Sequence, residues 1–582
     1  SKEAYDVSLN AKAEPATNAK APTFEAQASA HGNFHDVTLT ALHIDAPFAT
    51  AKLSAPVTFS IAHPLTASAA ELSVKVDLAK LPWIEARGTA EGHVTVSPDA
   101  AGSRQTFELD FAGVSSKNYT LEKGRARGVL HWPKLTVDTF DAQLDKNSSI
   151  SAHGSVDWQT RKLSDVTLQA KLVGPAFLAH WLPQGAGWAT AEISASAQGP
   201  LDAPLHNGTL KISQATLKPL QPAAIDAVWN GVGRKVEIQS ARAVAGDSTL
   251  ELAGTLEDTG LRLTKLVFSP RDQPALQLIA PARVTWSPVW EINRLTLATV
   301  SSGRVPPESN GSIGIAGKGG AEGFIDLNAT AFDSAWLQDW FAVTGPHWLV
   351  HTLEAHGRDV HGVLVFDTTM TGQIAMDPRP AEFRLNATGD ATGIQLKELT
   401  VVESKRELTR ASGKLPVTWK LRPDIQLSLD ENAPLELSAV TESDSPLWSA
   451  LSAYTGLKLT NPEAKIELKG SLRAPVGDVQ LQAARFGLSG KQFKFPLPEF
   501  ENLTLAMQLN RESVTLTKLS TQLDGQALQA SGKLPMDDTR WNQLLHHPTA
   551  FDWNAATAHL EIPDADLAVL SKHLTNLIAP KG

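Results

Sequence analysis

The sequence predicts an all-β protein, built mainly from antiparallel strands with a few short helices. Apolar and polar residues alternate in many stretches, 40 glycines and 35 prolines are spread along the 582 residues, and one six-residue phrase occurs twice. Successive side chains of a strand point to opposite faces, so a period of two gives one apolar and one polar face. Continuous apolar runs are scarce, so we expect a sheet covered on one face only.

The apolar positions of the alternating stretches are the candidate functional residues. In one stretch Leu503, Leu505 and Met507 are separated by single small or polar residues. The full set is Leu72, Val74, Val76, Leu78, Val236, Ile238, Ile425, Leu427, Leu429, Ile466, Leu468, Leu503, Leu505, Met507, Leu509, Val514 and Leu516.

Repeated phrases indicate a chain built from copies of one unit. Residues 411–416 and 530–535 both read Ala-Ser-Gly-Lys-Leu-Pro, and the phrase at 199–204 resembles that at 470–475. Short helices are expected near the unit starts, with Asp333 or Ser334, Ser445 and Asp564 as N-caps. The expected helices are 175–182, 334–343 with a continuation over 347–355, 445–454 and 566–577.

The helix spacing divides the chain into an N-terminal β-repeat region, three repeat units and the start of another. Repeats of this kind usually build an extended scaffold that acts through its surface. Because Ser1 opens in mid-pattern and the last unit is cut short, we expect a piece of a longer protein. The predicted segments are 1–174, 175–333, 334–444, 445–565 and 566–582.

Composition excludes several classes of function. A net charge of −10 gives no general attraction to nucleic acid, and the absence of cysteine excludes thiol catalysis, thiolate metal sites and disulfides. The least charged stretch, 174–191, is broken by prolines and glycines and does not predict a spanning helix.

Few motifs suggest site chemistry. His347 and His351 have the i, i+4 spacing of a zinc pair on a helix, but solvated or capping histidines are the simpler interpretation. The glycine-rich stretch 311–320 lacks phosphate-loop spacing and predicts a strand ending in a turn. Asp537 and Asp538 flank a turn or a helix start. We therefore expect no catalytic residue, cofactor or metal site, and a protein that is not an enzyme.

Tryptophans cluster around the expected helices. They either seal the rim of a groove or simply anchor helices on the sheet. These tryptophans are Trp181, Trp188, Trp336, Trp340, Trp348 and Trp448.

The unit consists of a short helix, a Gly-x-Leu-x-x-Pro turn, and long alternating strands closed by a Gly-Lys-Leu turn. It resembles the AsmA-like superfamily of Gram-negative envelope proteins, the TamB-like group in particular. The matching stretches are 199–204 with 207–212, and 470–475 with 477–481. The resemblance implies a β-taco, an elongated sheet curled into an open half-pipe that is apolar inside.

The resemblance also implies a function. Such grooves carry phospholipid acyl chains between the inner and outer membranes, which places this chain in the periplasm, anchored to the inner membrane by a segment outside it. A BamA-like outer-membrane protein is the implied partner. Two alternatives stay open: a scaffold for assembly of outer-membrane β-barrel proteins, and a stalk or adhesin of tandem β-sandwiches, whose apolar faces would be closed by a second sheet.

Overall fold

The structure, a computed structural model, describes most of the chain. The described residues are 4–13, 23–62, 69–81, 85–99, 102–116, 120–180, 182, 185–299, 311–320, 322–341, 347–376, 379–420, 426–455, 457–488, 499–546, 552–564 and 566. Backbone contacts divide the chain into two compact units, unit 1 (Ser1–Leu266) and unit 2 (Val267–Gly582). The five segments derived from the repeats stay predictions.

The prediction of an all-β antiparallel fold is confirmed. The described residues form 39 strands that hydrogen bonding joins into one antiparallel sheet. Strands up to the end of unit 1 are β1 (Tyr5–Ala13), β2 (Phe24–Gly32), β3 (Asp36–Ala46), β4 (Ala49–Leu53), β5 (Val57–Ser60), β6 (Ala70–Asp77), β7 (Ala86–Asp99), β8 (Gly102–Ser116), β9 (Thr120–His131), β10 (Lys134–Gln143), β11 (Ser149–Asp157), β12 (Lys162–Val173), β13 (Ala186–Gly187), β14 (Thr190–Pro200), β15 (Leu205–Leu217), β16 (Ala223–Val232), β17 (Lys235–Ala245), β18 (Ser248–Glu257) and β19 (Gly260–Ser269).

The strands of unit 2 are also antiparallel. Most strands of either unit pair with their neighbours in the chain, with exceptions such as β12 with β14. The remaining strands are β20 (Leu276–Leu278), β21 (Ala282–Thr285), β22 (Glu291–Thr299), β23 (Ser312–Lys318), β24 (Phe324–Asp333), β25 (Trp348–Val360), β26 (Val363–Ile374), β27 (Ala381–Asp390), β28 (Gly393–Glu403), β29 (Arg406–Leu415), β30 (Val417–Lys420), β31 (Gln426–Leu429), β32 (Leu435–Thr441), β33 (Leu457–Thr460), β34 (Glu463–Ser471), β35 (Ala474–Leu488), β36 (Phe500–Asn510), β37 (Ser513–Leu523), β38 (Gln526–Pro535) and β39 (Thr557–Glu561).

The duplicated phrase occupies equivalent places in the sheet. In β29, Gly413 lies opposite Leu396 of β28, and in β38, Gly532 lies opposite Leu516 of β37. In each pair of strands the register shifts immediately after that leucine. Such a bulge bends a strand and increases its twist. The repeated sequence therefore encodes a repeated bend.

We expect Gly413→Ala to destabilise unit 2 by more than about 1 kcal/mol beyond the cost of alanine at a strained φ alone. Gly413 has φ +148°, and an added methyl group would overlap the carbonyl oxygen of Glu436. Gly362, at φ +87°, has no atom within 4 Å of that position, so Gly362→Ala measures the backbone cost alone. Local hydrogen exchange compares the two variants, in β29 for Gly413→Ala and in β25 and β26 for Gly362→Ala, and equal losses would contradict the steric argument.

The helix predictions are partly right. A 3-10 helix covers Ala176–Leu178, another covers Ser334–Leu337, and helix α1 covers Leu447–Thr455. Two of the predicted caps are present, because the Ala335 amide donates to Asp333 Oδ1 at 2.9 Å and the Leu447 amide donates to Ser445 Oγ at 3.3 Å.

One helix prediction fails, one helix was missed, and one prediction lies outside the described residues. The predicted continuation over 347–355 belongs mostly to strand β25, where a bulge after Val350 disturbs the alternation. Helix α2 (Asp538–His546) was not predicted, although Asp537 caps it by accepting from the Arg540 amide at 2.8 Å. The predicted helix 566–577 lies outside the described residues apart from its first residue.

Some of the buried apolar residues form three small clusters, each beside a short helix. In unit 2, Trp336 packs edge-on against Phe332, with ring centroids 5.2 Å apart, beside the cluster of Val350, Phe383 and Leu408. At the opposite edge of the sheet, α2 forms a second cluster through Trp541. In unit 1 a third cluster lies beside the helix Ala176–Leu178. Helices thus cover the edges of the apolar face and leave its middle to the strands.

Candidate functional site

The apolar face forms continuous rows that run across the strands. In unit 2, residues directly opposite one another on β34 to β38 follow two adjacent rows. One row is Ile466, Val479, Met507, Leu516 and Gly532, and the other is Ala464, Leu481, Leu505, Leu519 and Ala530. All ten residues are half-buried.

Unit 1 repeats this arrangement. Leu72 lies opposite Leu53 of β4 and Val94 of β7, and Val94 lies opposite Phe107 of β8. In β17, Val236 and Ile238 lie opposite Leu256 and Gly254 of β18. These residues are also half-buried, apart from Gly254 and from Gly128, which continues the first row; both of these glycines are buried.

Partial exposure distinguishes this face from the interior of a sandwich. Inward side chains of two packed sheets interdigitate and lose nearly all contact with water. Here the residues of the two rows in unit 2 and most of the predicted groove residues keep partial contact with water. An apolar face that keeps partial contact with water has apolar surface available to a ligand.

Thirteen of the seventeen candidate residues are half-buried, and the other four differ in informative ways. Leu503 is 7% exposed, and Leu429, in the hairpin of β30 and β31, is 53% exposed. Ile425 lies outside the described residues, as does the side chain of Leu427. Leu78, although half-buried, is in the 3-10 helix Leu78–Lys80 and not in a strand as predicted.

Aromatic rings lie flat against this face because glycines stand opposite them. Phe107 pairs with Gly128, Trp229 with Gly208, and Phe383 with Gly372. A methyl group on any of these glycines would overlap the ring beside it. Sequence reasoning missed these pairs, since the glycine and the aromatic residue lie on different strands and only the register joins them.

The opposite face is polar and carries ion pairs between strands. Glu108 accepts hydrogen bonds from Arg127, at 2.8 Å, and from Arg125. The hydrogen bond from Arg127, with the charges of both arginines, holds the pKa of Glu108 below its usual value. A hydrogen bond to Asp326, at 2.9 Å, raises the pKa of His356. These exposed ion pairs support the register of neighbouring strands. Their geometry does not indicate a catalytic site.

The remaining motifs are ordinary strand and turn positions. His347 precedes β25 and His351 lies within it, so four residues of strand place them about 13 Å apart instead of on one helix turn. Among the described residues, no group of three or more histidines and carboxylates has the arrangement of a metal site. Stretch 311–320 contains strand β23 and a turn, as predicted, and its Gly317 and Gly319 accommodate the ring of Trp290.

The tryptophans of the short helices anchor them to the sheet. Trp336 is 2% exposed, and the indole of Trp448 donates to the Glu442 carbonyl at 3.0 Å. Trp188 packs against the cluster of unit 1, and Trp348 against that of Val350. Trp181 lies outside the described residues.

Comparisons with known proteins leave the family open. In the part of the chain that the structure describes, no helix has the length and apolar character needed to cross a lipid bilayer. No protein-family model matches the sequence, and no curated protein matches it significantly.

Proposed function

We propose that the apolar face lines an open half-pipe that carries phospholipid acyl chains along the sheet, as in AsmA-like proteins of the Gram-negative periplasm. One observation supports this most directly: rows of apolar side chains continue from strand to strand and stay half-buried. Soluble proteins rarely expose apolar patches beyond a few hundred Å², and larger ones are usually binding surfaces.

Acyl chains suit this surface because they need dry contact and no directional bonds. Each buried methylene group contributes ~0.8 kcal/mol, so a twelve-carbon stretch gains on the order of 10 kcal/mol before ordering costs. The headgroup would stay in water at the open lip, since removing its hydration is costly. Strands ~4.8 Å apart offer similar successive positions, so the chain slides along the face. No enzymatic step belongs to this proposal.

Photocrosslinking tests the proposal at two adjacent positions on opposite faces. Leu505 belongs to an apolar row, whereas Ala506 faces the polar side, opposite Gln480 and Lys518. With benzoylphenylalanine at either position in Gram-negative cells, we expect phospholipid adducts at residue 505 and few at 506, measured by mass spectrometry. Equal labelling, or no lipid at residue 505, would contradict the proposal. Adducts to barrel precursors without lipid would favour the assembly scaffold.

A further inference from the structure

A third apolar row lies beside the two described in unit 2, nearer the edge of the sheet. Its members lie directly opposite one another on β34 to β38, two residues along each strand from the row that contains Met507 and Leu516. Because side chains alternate between faces, the third row is on the same apolar face. We call it the edge row, and it consists of Leu468, Gly477, Leu509, Val514 and Leu534.

Helix α2 covers part of the edge row. Trp541 and Leu544 of the helix belong to one packed cluster with Leu509, Val514 and Leu534 of the row. Two of these row residues, at positions 509 and 514, are among the predicted groove residues. The helix therefore makes the apolar contacts that an acyl chain would make at these positions, so α2 and a lipid would compete for them.

The start of α2 is fixed to its own strand and to a neighbouring turn. Asp537 caps the helix, and the side chain of Arg540 donates to the carbonyl of Pro535, at the end of β38, at 2.7 Å. The Trp541 indole donates to the carbonyl of Arg511, in the turn between β36 and β37, at 3.1 Å. These contacts hold the first turn of the helix at the edge of the sheet.

The end of α2 contacts a turn that is distant in the chain. His546 Nε2 is 2.6 Å from Oε1 of Glu431, in the turn between β31 and β32. Arg473 Nε also donates to this carboxylate, at 2.9 Å, so Glu431 keeps a partner when His546 moves away. The His546 side chain is 48% exposed, and exposed ion pairs stabilise a structure only slightly. The contact between His546 and Glu431 is therefore a weak latch.

We propose that α2 is an autoinhibitory cover, which occupies the edge row in place of an acyl chain and lifts from it when lipid is loaded. The latch between His546 and Glu431 favours the covered state. An acyl chain that replaces Trp541 and Leu544 keeps the row away from water, so the exchange leaves little apolar surface exposed. The proposal rests on the lipid-carrying function proposed above, and it makes α2 the element that limits lipid at this edge.

Photolabelling of the whole chain tests the cover without a substitution in the rows. The probe is a vesicle phosphatidylethanolamine with a diazirine in its acyl chain. Peptide mapping compares the label at Val514, under α2, with the label at Leu519, in the uncovered row of Leu505. Trypsin cleaves after Lys518 and so separates the two labelled residues.

Variants that loosen the cover should admit lipid to the edge row. His546→Ala should raise the label at Val514 about threefold, and Trp541→Ala should raise it at least about tenfold, with the label at Leu519 unchanged. His356→Ala is the matched control, because it also removes an exposed histidine from a carboxylate, that of Asp326, on the polar face of unit 2. It should change neither label.

A crosslink that fixes the cover should have the opposite effect. The chain has no cysteine, so Glu431→Cys combined with His546→Cys places the only two thiols at the latch, where a short bismaleimide can join them. Relative to the same variant left unjoined, the crosslinked chain should lose the label at Val514 by at least about fivefold and keep the label at Leu519.

The cover is overturned if His546→Ala and Trp541→Ala both leave the label at Val514 at its original level, if the control raises that label equally, or if the crosslink does not lower it. Circular dichroism verifies that each variant folds, and the crosslinked chain decides the question even if Trp541→Ala loosens the sheet edge. A label that persists at Leu519 without any response at Val514 overturns the cover alone. No label at either residue in every variant overturns the lipid proposal as well.

Discussion

Leu505→Asp is expected to reduce lipid labelling at its neighbour on the apolar face, Met507, by at least tenfold. Leu505 lies between Leu481 and Leu519 in its row, so the new carboxylate would hold water where an acyl chain must pass. Removing that water costs several kcal/mol, more than the ~1.4 kcal/mol that corresponds to tenfold. A benzoylphenylalanine at residue 507 reports occupancy locally, even if other parts of the groove stay filled.

Ala506→Asp provides the matched control on the same strand. It adds the same charge on the opposite face, near Lys518, and should leave labelling at residue 507 unchanged. Because Leu505 is half-buried, the aspartate keeps access to water, and the fold should survive in both variants. If Leu505→Asp retains full labelling, or if both variants lose it equally, the apolar row does not carry the lipid.

Trp541→Ala is expected to destabilise the edge of unit 2 by about 3–5 kcal/mol. Trp541 is 4% exposed and packs with Leu534 and Met536. Its indole also donates to the Arg511 carbonyl at 3.1 Å, joining α2 to the turn between β36 and β37. Alanine would leave a cavity and remove this hydrogen bond, so α2 should detach from the sheet.

Hydrogen exchange in β38 measures this effect better than global unfolding, because a chain of this size does not unfold in two states. Trp541→Phe keeps most of the packing and loses only the hydrogen bond, so it should cost about 1–2 kcal/mol. Leu560, 60% exposed in β39, provides a control whose replacement by alanine should change stability by less than about 0.5 kcal/mol. A loss below about 1 kcal/mol for Trp541→Ala would show that α2 is not held by this side chain.

Strand periodicity made the fold predictable, and interruptions of that periodicity limited the prediction. Ile466 and Leu468 alternate without a break and were correctly placed on one face. In β25 the bulge after Val350 shifts the pattern, so the stretch resembled a helix. A bulge is stabilised by contacts with the neighbouring strand, which the local sequence does not contain.

The sequence was sufficient to predict which residues lie on the apolar face. It was not sufficient to predict which of them lie next to one another on neighbouring strands. The alternation of apolar and polar residues indicates that Met507 lies on the apolar face. That Val479 and Leu516 lie opposite it depends on the strand register, which is set by turns and bulges elsewhere in the chain. Helix α2 was missed although its cap Asp537 was noticed, because a short helix takes its stability from packing, here through Trp541.

The glycines beneath the aromatic rings have a consequence for motion along the sheet. With Phe107 over Gly128 and Trp229 over Gly208, these two rings extend over the neighbouring strand. At these places a ring therefore projects less from the sheet than it would above a residue with a side chain. If an acyl chain moves along this face as proposed, the energy barriers at these rings would be low. Friction between the lipid headgroup and the surrounding water would then limit the rate of movement.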